Sequence, residues 1–187
     1  MKSPAAGARA ALAPLAAVLA VGLVLAGQAR LAGARLYGHG QPPAIDAIEA
    51  IDWSATSPRV NLTHIFQGGV NRRHKPVGFH SRPGGHDPAA ARVVRVLRSA
   101  NRFGVYEALV EIAPPAGSRD ERWLTKRSTF YPDRLERAAV VAAILNAFQH
   151  REVGGGGDRF RGPSGLGFTI EGYLLDDGSV NTAYPIY

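Results

Sequence analysis

Cysteine is missing from all 187 residues, which excludes thiol nucleophiles, disulfide staples, Cys-ligated zinc and iron–sulfur clusters. Also lacking is a phosphate-loop fingerprint. Neither GxGxxG nor GxxxxGK[ST] stands between a strand and a helix, and the dense glycine run at 154–157 follows a helical pattern, so parallel-sheet nucleotide folds are disfavoured. Acidic residues are absent from the first 35 positions, where Lys2, Arg9, Arg30 and Arg35 are the only charges. Those four supply more than half of the formal net charge of +7. What remains is mildly basic, and a net charge of that size draws polyanions only weakly. Placement of the cations has to carry any argument for nucleic acid.

The cations at Lys2 and Arg9 precede an uncharged apolar run at residues 10–27, followed by small residues around 27–29 and 32–34. This is the layout of an export signal covering residues 1–34. The run is also near the lower length limit for crossing a bilayer, so two outcomes stand side by side. Cleavage gives a periplasmic or secreted protein; retention gives a membrane anchor with the domain outside the cytoplasm. Residues 35–43, punctuated by Gly and Pro, read as a linker, and residues 44–187 as one folded domain.

Within that domain, Ala44, Ile45, Ala47, Ile48 and Ile51 suggest a short amphipathic helix. Residues 104–112 alternate with period two, Tyr106, Ala108, Val110 and Ile112 facing one way, which predicts a strand; a second strand is expected over 122–131. The clearest helix pattern runs over 133–151, with Asp133 as its cap, Glu136 three residues on, and an apolar stripe of Leu135, Ala138, Ala142, Leu145 and Phe148. Residues 165–175 and 179–186 flank Asp176-Asp177-Gly178, a hairpin signal. The expected class is α+β, an antiparallel sheet with packed helices.

Six histidines stand at 39, 64, 74, 80, 86 and 150. His39 lies in the linker, and His150 sits where a helix C-terminus favours a positive ring. His74, His80 and His86 are six apart, a spacing that fits neither a helical face nor the usual zinc pairs, so no metal site is assigned. His64 and His80 differ from the rest in their apolar settings, His64-Ile65-Phe66 and Val77-Gly78-Phe79-His80, with Gly68, Gly69 and Gly78 nearby to let backbone approach a ligand. Between them lie Arg72, Arg73 and Lys75, either cations serving a phosphate site or a solvated basic loop. Two imidazoles, each with an unperturbed pKa near neutrality, can take and give a proton in one reaction.

The blocks HIFQGGVN and KPVGFHS, Lys126 ahead of Phe130-Tyr131-Pro132, and Asn181-Thr182-Ala183-Tyr184-Pro185 come in an order that resembles the bacterial EndoU nuclease family over about residues 60–187. That resemblance implies an EndoU-like ribonuclease fold and an active site of two histidines, a lysine and a C-terminal Thr-x-Tyr, matched here by His64, His80, Lys126, Thr182 and Tyr184. At strand spacing, Thr182 and Tyr184 share a face. Arg127, adjacent to Lys126, points to the opposite face, and a one-residue slip in register exchanges the two. Immediately before His80, Val77-Gly78-Phe79 has a single glycine where the family often has a Gly-rich stretch. The basic stretch between His80 and Gly104, carrying Arg82, Arg92, Arg95, Arg98 and Arg102, matches no family motif and reads either as an RNA-contacting arm or as a solvated helix face.

The chemistry implied is endonucleolytic cleavage of single-stranded RNA by its own 2′-hydroxyl, leaving 2′,3′-cyclic phosphate and 5′-hydroxyl ends. His64 is assigned as base and His80 as acid, with the reverse open. No cofactor is required by this route, although Mn2+ dependence in some relatives leaves metal use open. The partners implied are RNA and, where such domains serve as toxin tips, an immunity or inhibitor protein. Two alternatives are a two-HxT/S phosphodiesterase, disfavoured by Ile65-Phe66 after His64, and a catalytically inactive RNA- or protein-binding module on the same fold.

Overall fold

The alternating stretch at 104–112 becomes a strand whose Tyr106, Ala108, Val110 and Ile112 are all buried, because a pleated strand sends every second side chain to the same face. In the computed structural model, residues 52–119, 121–152 and 157–187 are described. The expected signal segment, the linker and the helix at 44–51 lie outside them.

Chain order is α1 (Leu62–Phe66), β1 (Gly69–Val70), β2 (Pro76–Val77), a 3-10 turn (Pro83–Gly85), β3 (Ala91–Arg98), β4 (Tyr106–Ile112), β5 (Leu124–Phe130), α2 (Arg137–Gln149), β6 (Arg159–Pro163), β7 (Thr169–Leu174) and β8 (Val180–Pro185). The strands form two three-stranded sheets, β3-β4-β5 and β6-β7-β8, and a small β1-β2 ribbon. Every pairing of these strands is antiparallel, as expected, but among the described residues α-helix is confined to two elements and the sheet is divided. The expected hairpin is present as β7 and β8, turned by Asp177 and Gly178, where φ is +80° and suits glycine.

Two expectations need correction. The basic stretch after His80 is no helix face: it contains β3, an edge strand with bulges between Val93 and Arg95 and between Val96 and Arg98. Bulges and arginines are common protections of an edge, and they break the simple alternation that marks a strand in sequence. The second correction concerns α2, which starts at Arg137 with Glu136 as N-cap. Asp133 does not cap it, because its carboxylate accepts a hydrogen bond from the Tyr106 hydroxyl at 2.7 Å. Its buried face is Val140, Ala143, Ile144 and Ala147, whereas Ala138 and Ala142 are exposed. Almost every residue from Ala138 to Ala147 is apolar, so periodicity alone leaves the inward side ambiguous.

The described residues pack into two cores. One joins α2, the inner face of β6-β7-β8 and α1 through residues such as Ile144, Phe160, Ile170, Val180 and Ile65. The other holds Phe79, Ala108, Val110, Ile112 and Phe130 against β3-β4-β5. Strand β5 of one sheet meets β8 of the other, and α1 also packs on β8. A cleft opens along that junction.

Candidate active site

His64 sits on α1, a helix of barely more than one turn that could not persist alone. Its position is held by Asn61, whose side-chain oxygen accepts from the His64 amide at 2.9 Å while its amide nitrogen donates to Asn181 Oδ1 at 3.3 Å. The Asn61 backbone N–H adds a bond to Val180 O at 3.0 Å. These bonds tie α1 to the start of β8, two residues from Thr182.

The second imidazole is carried by the chain after β2. Phe79 N donates to His64 O at 2.8 Å and His80 N to Ile65 O at 2.8 Å, so the segment hangs from carbonyls at the end of α1. Gly78 makes this approach possible: its φ is +71°, and a Cβ there would lie 2.9 Å from His64 Cδ2 and collide with the His64 carbonyl. Gly68 is similarly confined, by Val77 O at 2.9 Å. These two glycines make room for protein, not for a ligand as their sequence setting suggested. Phe79 follows at φ +59°, a costly conformation for a bulky residue, and its fully buried ring in the second core holds it there. The His64 and His80 rings end 6.5 Å apart between centroids and 20° from parallel.

Strand β5 contributes the cation. Lys126, Ser128 and Phe130 alternate onto one face, and Lys126 Nζ donates to Gly78 O at 2.6 Å. Arg127 points away and pairs with Glu107 at 3.1 Å. The register therefore turns Lys126 into the cleft, while Arg127 lies at its rim, largely in solvent. Strand β8 brings Thr182 and Tyr184; the Tyr184 ring lies 5.3 Å from that of His80. Thr182 Oγ1 is buried and has no hydrogen-bond partner among the described residues. His64, His80, Lys126, Thr182 and Tyr184 all line the one cleft.

Two further residues act on this set and escaped the sequence reading. Ser128 is buried; its hydroxyl donates to Phe79 O at 2.7 Å and lies 3.0 Å from His80 Nδ1. The Thr129 carbonyl also lies 3.0 Å from Nδ1. A carbonyl can only accept, and the Ser128 proton is directed to Phe79, so Nδ1 carries the hydrogen and the bare lone pair of neutral His80 sits on Nε2. Glu171, opposite Tyr184 across β7 and β8, accepts the Tyr184 hydroxyl proton at 2.6 Å. It is buried under Arg159 and Arg161. A serine two residues after Lys126 and a glutamate in a β-hairpin are too common for their spacing to reveal these roles.

Electrostatics favour neutral rings in the free protein. Burial, and then the nearby Lys126 charge, lower the His64 pKa from 6.5 to about 4. His80 is pushed well below its ordinary value by burial, then by Lys126 and His64, against a smaller opposing pull from the Thr129 carbonyl. Burial also brings Lys126 down to about 8. Burial of the Tyr184 phenol, followed by its bonds to Glu171 and Tyr173, raises its pKa, so it remains protonated.

The other candidates lie apart. Arg72, Arg73 and Lys75 are exposed at the tip of the β1-β2 hairpin and make no ion pair among the described residues. His74 occupies that tip at φ +54°, and His150 donates through Nδ1 to Asn146 O, 3.0 Å away, beyond the end of α2. Among the described residues no three His, Asp or Glu side chains are grouped as metal ligands.

Residues 58–187 match the family model described as bacterial EndoU nuclease. No curated protein and no solved structure matches. The family match spans well over half of the sequence and takes in all five cleft residues: the chain belongs to the bacterial EndoU nuclease family.

Proposed function

We propose that the protein is an endoribonuclease that cleaves single-stranded RNA by 2′-hydroxyl attack, giving 2′,3′-cyclic phosphate and 5′-hydroxyl ends. The observation that carries this reading is the convergence of two near-parallel imidazoles, 6.5 Å apart, with the Lys126 amine in one cleft. Family membership supplies nuclease chemistry in general. The cleft supplies the particular groups.

His80 Nε2 takes the 2′-OH proton as the 2′-oxygen attacks phosphorus, and protonated His64 gives its proton to the departing 5′-oxygen. This reverses the assignment made from sequence. His80 is the deeper and harder ring to charge, with Nδ1–H already committed, which suits a base. His64 is the more accessible, and an incoming phosphate offsets the burial and the Lys126 charge that keep it neutral when free. Lys126 stabilises negative charge growing on the non-bridging oxygens. The unpartnered Thr182 hydroxyl orients the phosphate, and the Tyr184 ring packs on a nucleoside. Arg72, Arg73 and Lys75 hold RNA beside the cleft. No step draws on a metal ion, and the N-terminal signal directs the domain out of the cytoplasm.

Incubation with single-stranded RNA in EDTA, with a DNA copy as control, tests the reading. Cleaved RNA with cyclic phosphate ends and intact DNA is expected, and His64→Ala and His80→Ala each lose cleavage without losing their fold. RNA left intact with and without Mn2+ counts against the nuclease, and cleavage only with Mn2+ counts against the metal-free route.

A further inference from the structure

The sheet β6-β7-β8 has one face packed on α2 through Phe160, Ile170 and Ala183, and the other turned outward from the cleft. Register assigns the outward residues row by row. Tyr184 on β8 stands opposite Glu171 on β7, and Glu171 opposite Arg161 on β6; beside that row, Thr182 stands opposite Tyr173, and Tyr173 opposite Arg159. Neighbouring strands are about 4.8 Å apart, so β6 lies roughly 10 Å from β8 across this face. Proceeding outward from the cleft, one meets a hydroxyl and an aromatic ring, then a partly buried tyrosine, then two arginines.

The arginines are more than a structural clasp. Arg159 and Arg161 both reach the same Glu171 oxygen, Oε2, while Tyr184 occupies Oε1. One carboxylate thus faces two guanidinium groups, leaving a net positive charge on the patch, and each guanidinium has five N–H donors that this oxygen cannot saturate. The two side chains stay 55% and 45% exposed, so the remaining donors face solvent. The same face also carries Pro163 and Thr169 at its far end, so it is polar and cationic with little aliphatic surface.

We propose that this face is an RNA-binding track continuous with the cleft, on which the nucleotide flanking the scissile phosphate stacks against Tyr173 and the next phosphate is held by Arg159 and Arg161. The chemistry is that of single-strand binding platforms, in which an aromatic ring takes a base and arginines take the backbone without reading sequence. Glu171 presets the arginines: it holds both guanidinium groups at the sheet surface, so they lose little freedom when a phosphate arrives. The proposal rests on the nuclease reading, since it is the cleft that delivers the strand to this face.

The test uses fluorescently labelled 2′-O-methyl RNA, whose blocked 2′-oxygen prevents cleavage, as a dimer and as a mixed-sequence octamer, titrated against the folded domain over a salt series. Arg159→Gln/Arg161→Gln and Tyr173→Leu, checked for native folding by circular dichroism, are expected to weaken octamer binding roughly tenfold, the arginine pair lowering the salt slope by about one per lost phosphate contact. A 4-thiouridine one or two positions from the cleavage site is expected to cross-link to peptides of β6 or β7. Octamer affinity and salt slope equal to wild type, with cross-links confined to the Arg72–Lys75 hairpin, overturn the track. Cleavage of unmodified RNA by the wild type is followed in the same preparations, so a domain that cleaves but lacks the track is distinguished from one that is no nuclease.

Discussion

At the scale of single residues, the notable arrangement is a half-buried lysine whose charge, added to burial, keeps two histidines neutral. His64, held at about 4 when free, is expected to show that value by NMR titration and to titrate at higher pH once inorganic phosphate is added, because the anion offsets both burial and Lys126. Lys126 sheds its proton near 8, so kcat/KM should decline above that pH as the cleft loses its cation; a rate unchanged to pH 10 contradicts its role. Ser128→Ala removes one of the two acceptors around His80 Nδ1. About a tenfold fall in kcat is expected, with KM little altered, while an imidazole 15N spectrum should still show Nδ1–H, because the Thr129 carbonyl remains as its acceptor. Tyr184→Phe keeps the ring and forfeits the bond to Glu171, which predicts a stability loss of about 1 kcal/mol and nearly full cleavage, whereas Tyr184→Ala loses both.

At the scale of elements, the site depends on a short helix and a strained connector. Five residues of α1 carry one imidazole, and the other follows a glycine whose missing Cβ is filled by the first. Gly78→Ala therefore strains φ and pushes His64 away together. Thermal unfolding should show a loss of roughly 1–3 kcal/mol, and cleavage should fall by at least tenfold even at temperatures where the variant is folded. Full activity with unchanged stability contradicts this account of the connector. Strand β5 shows the contrary case, in which local alternation is enough: position i, i+2 and i+4 bring Lys126, Ser128 and Phe130 to the interior while Arg127 reaches solvent and Glu107.

At the scale of the whole molecule, two cores meet along the cleft, and the histidines are buried between them as neutral rings. A neutral buried histidine binds fewer protons folded than unfolded, so stability is complete above the unfolded pKa of about 6.5 and is lost as pH falls. For His64, with a folded value near 4, the window runs from about 6.5 down to 4 and the loss approaches roughly 3 kcal/mol, with His80 adding in the same direction. Urea denaturation between pH 7 and pH 4 should register this decline, and the double variant His64→Asn/His80→Asn should flatten it. A slope that persists in that variant assigns the acid sensitivity elsewhere.

Much of this was legible from residue order alone. Period-two alternation identified β4, a turn pair located the β7-β8 hairpin, and three separated blocks named the cleft residues, because strand geometry and turn stereochemistry are local properties of a few successive side chains. Other features depended on neighbours distant in sequence. The edge strand β3 was disguised by its bulges, and the inward face of α2 was hidden by a nearly all-apolar helix until the sheet supplied its partner. Asp133 had a capping residue's pattern but is engaged by Tyr106. Ser128 and Glu171 gained their importance only when folding set them against His80 and Tyr184, from 48 and 13 positions away. Sequence by itself determined which imidazoles, amine and hydroxyls the chain possesses. Tertiary structure alone decided their protonation, tautomer and company, because those are set by burial and by fields from groups that residue order leaves far apart.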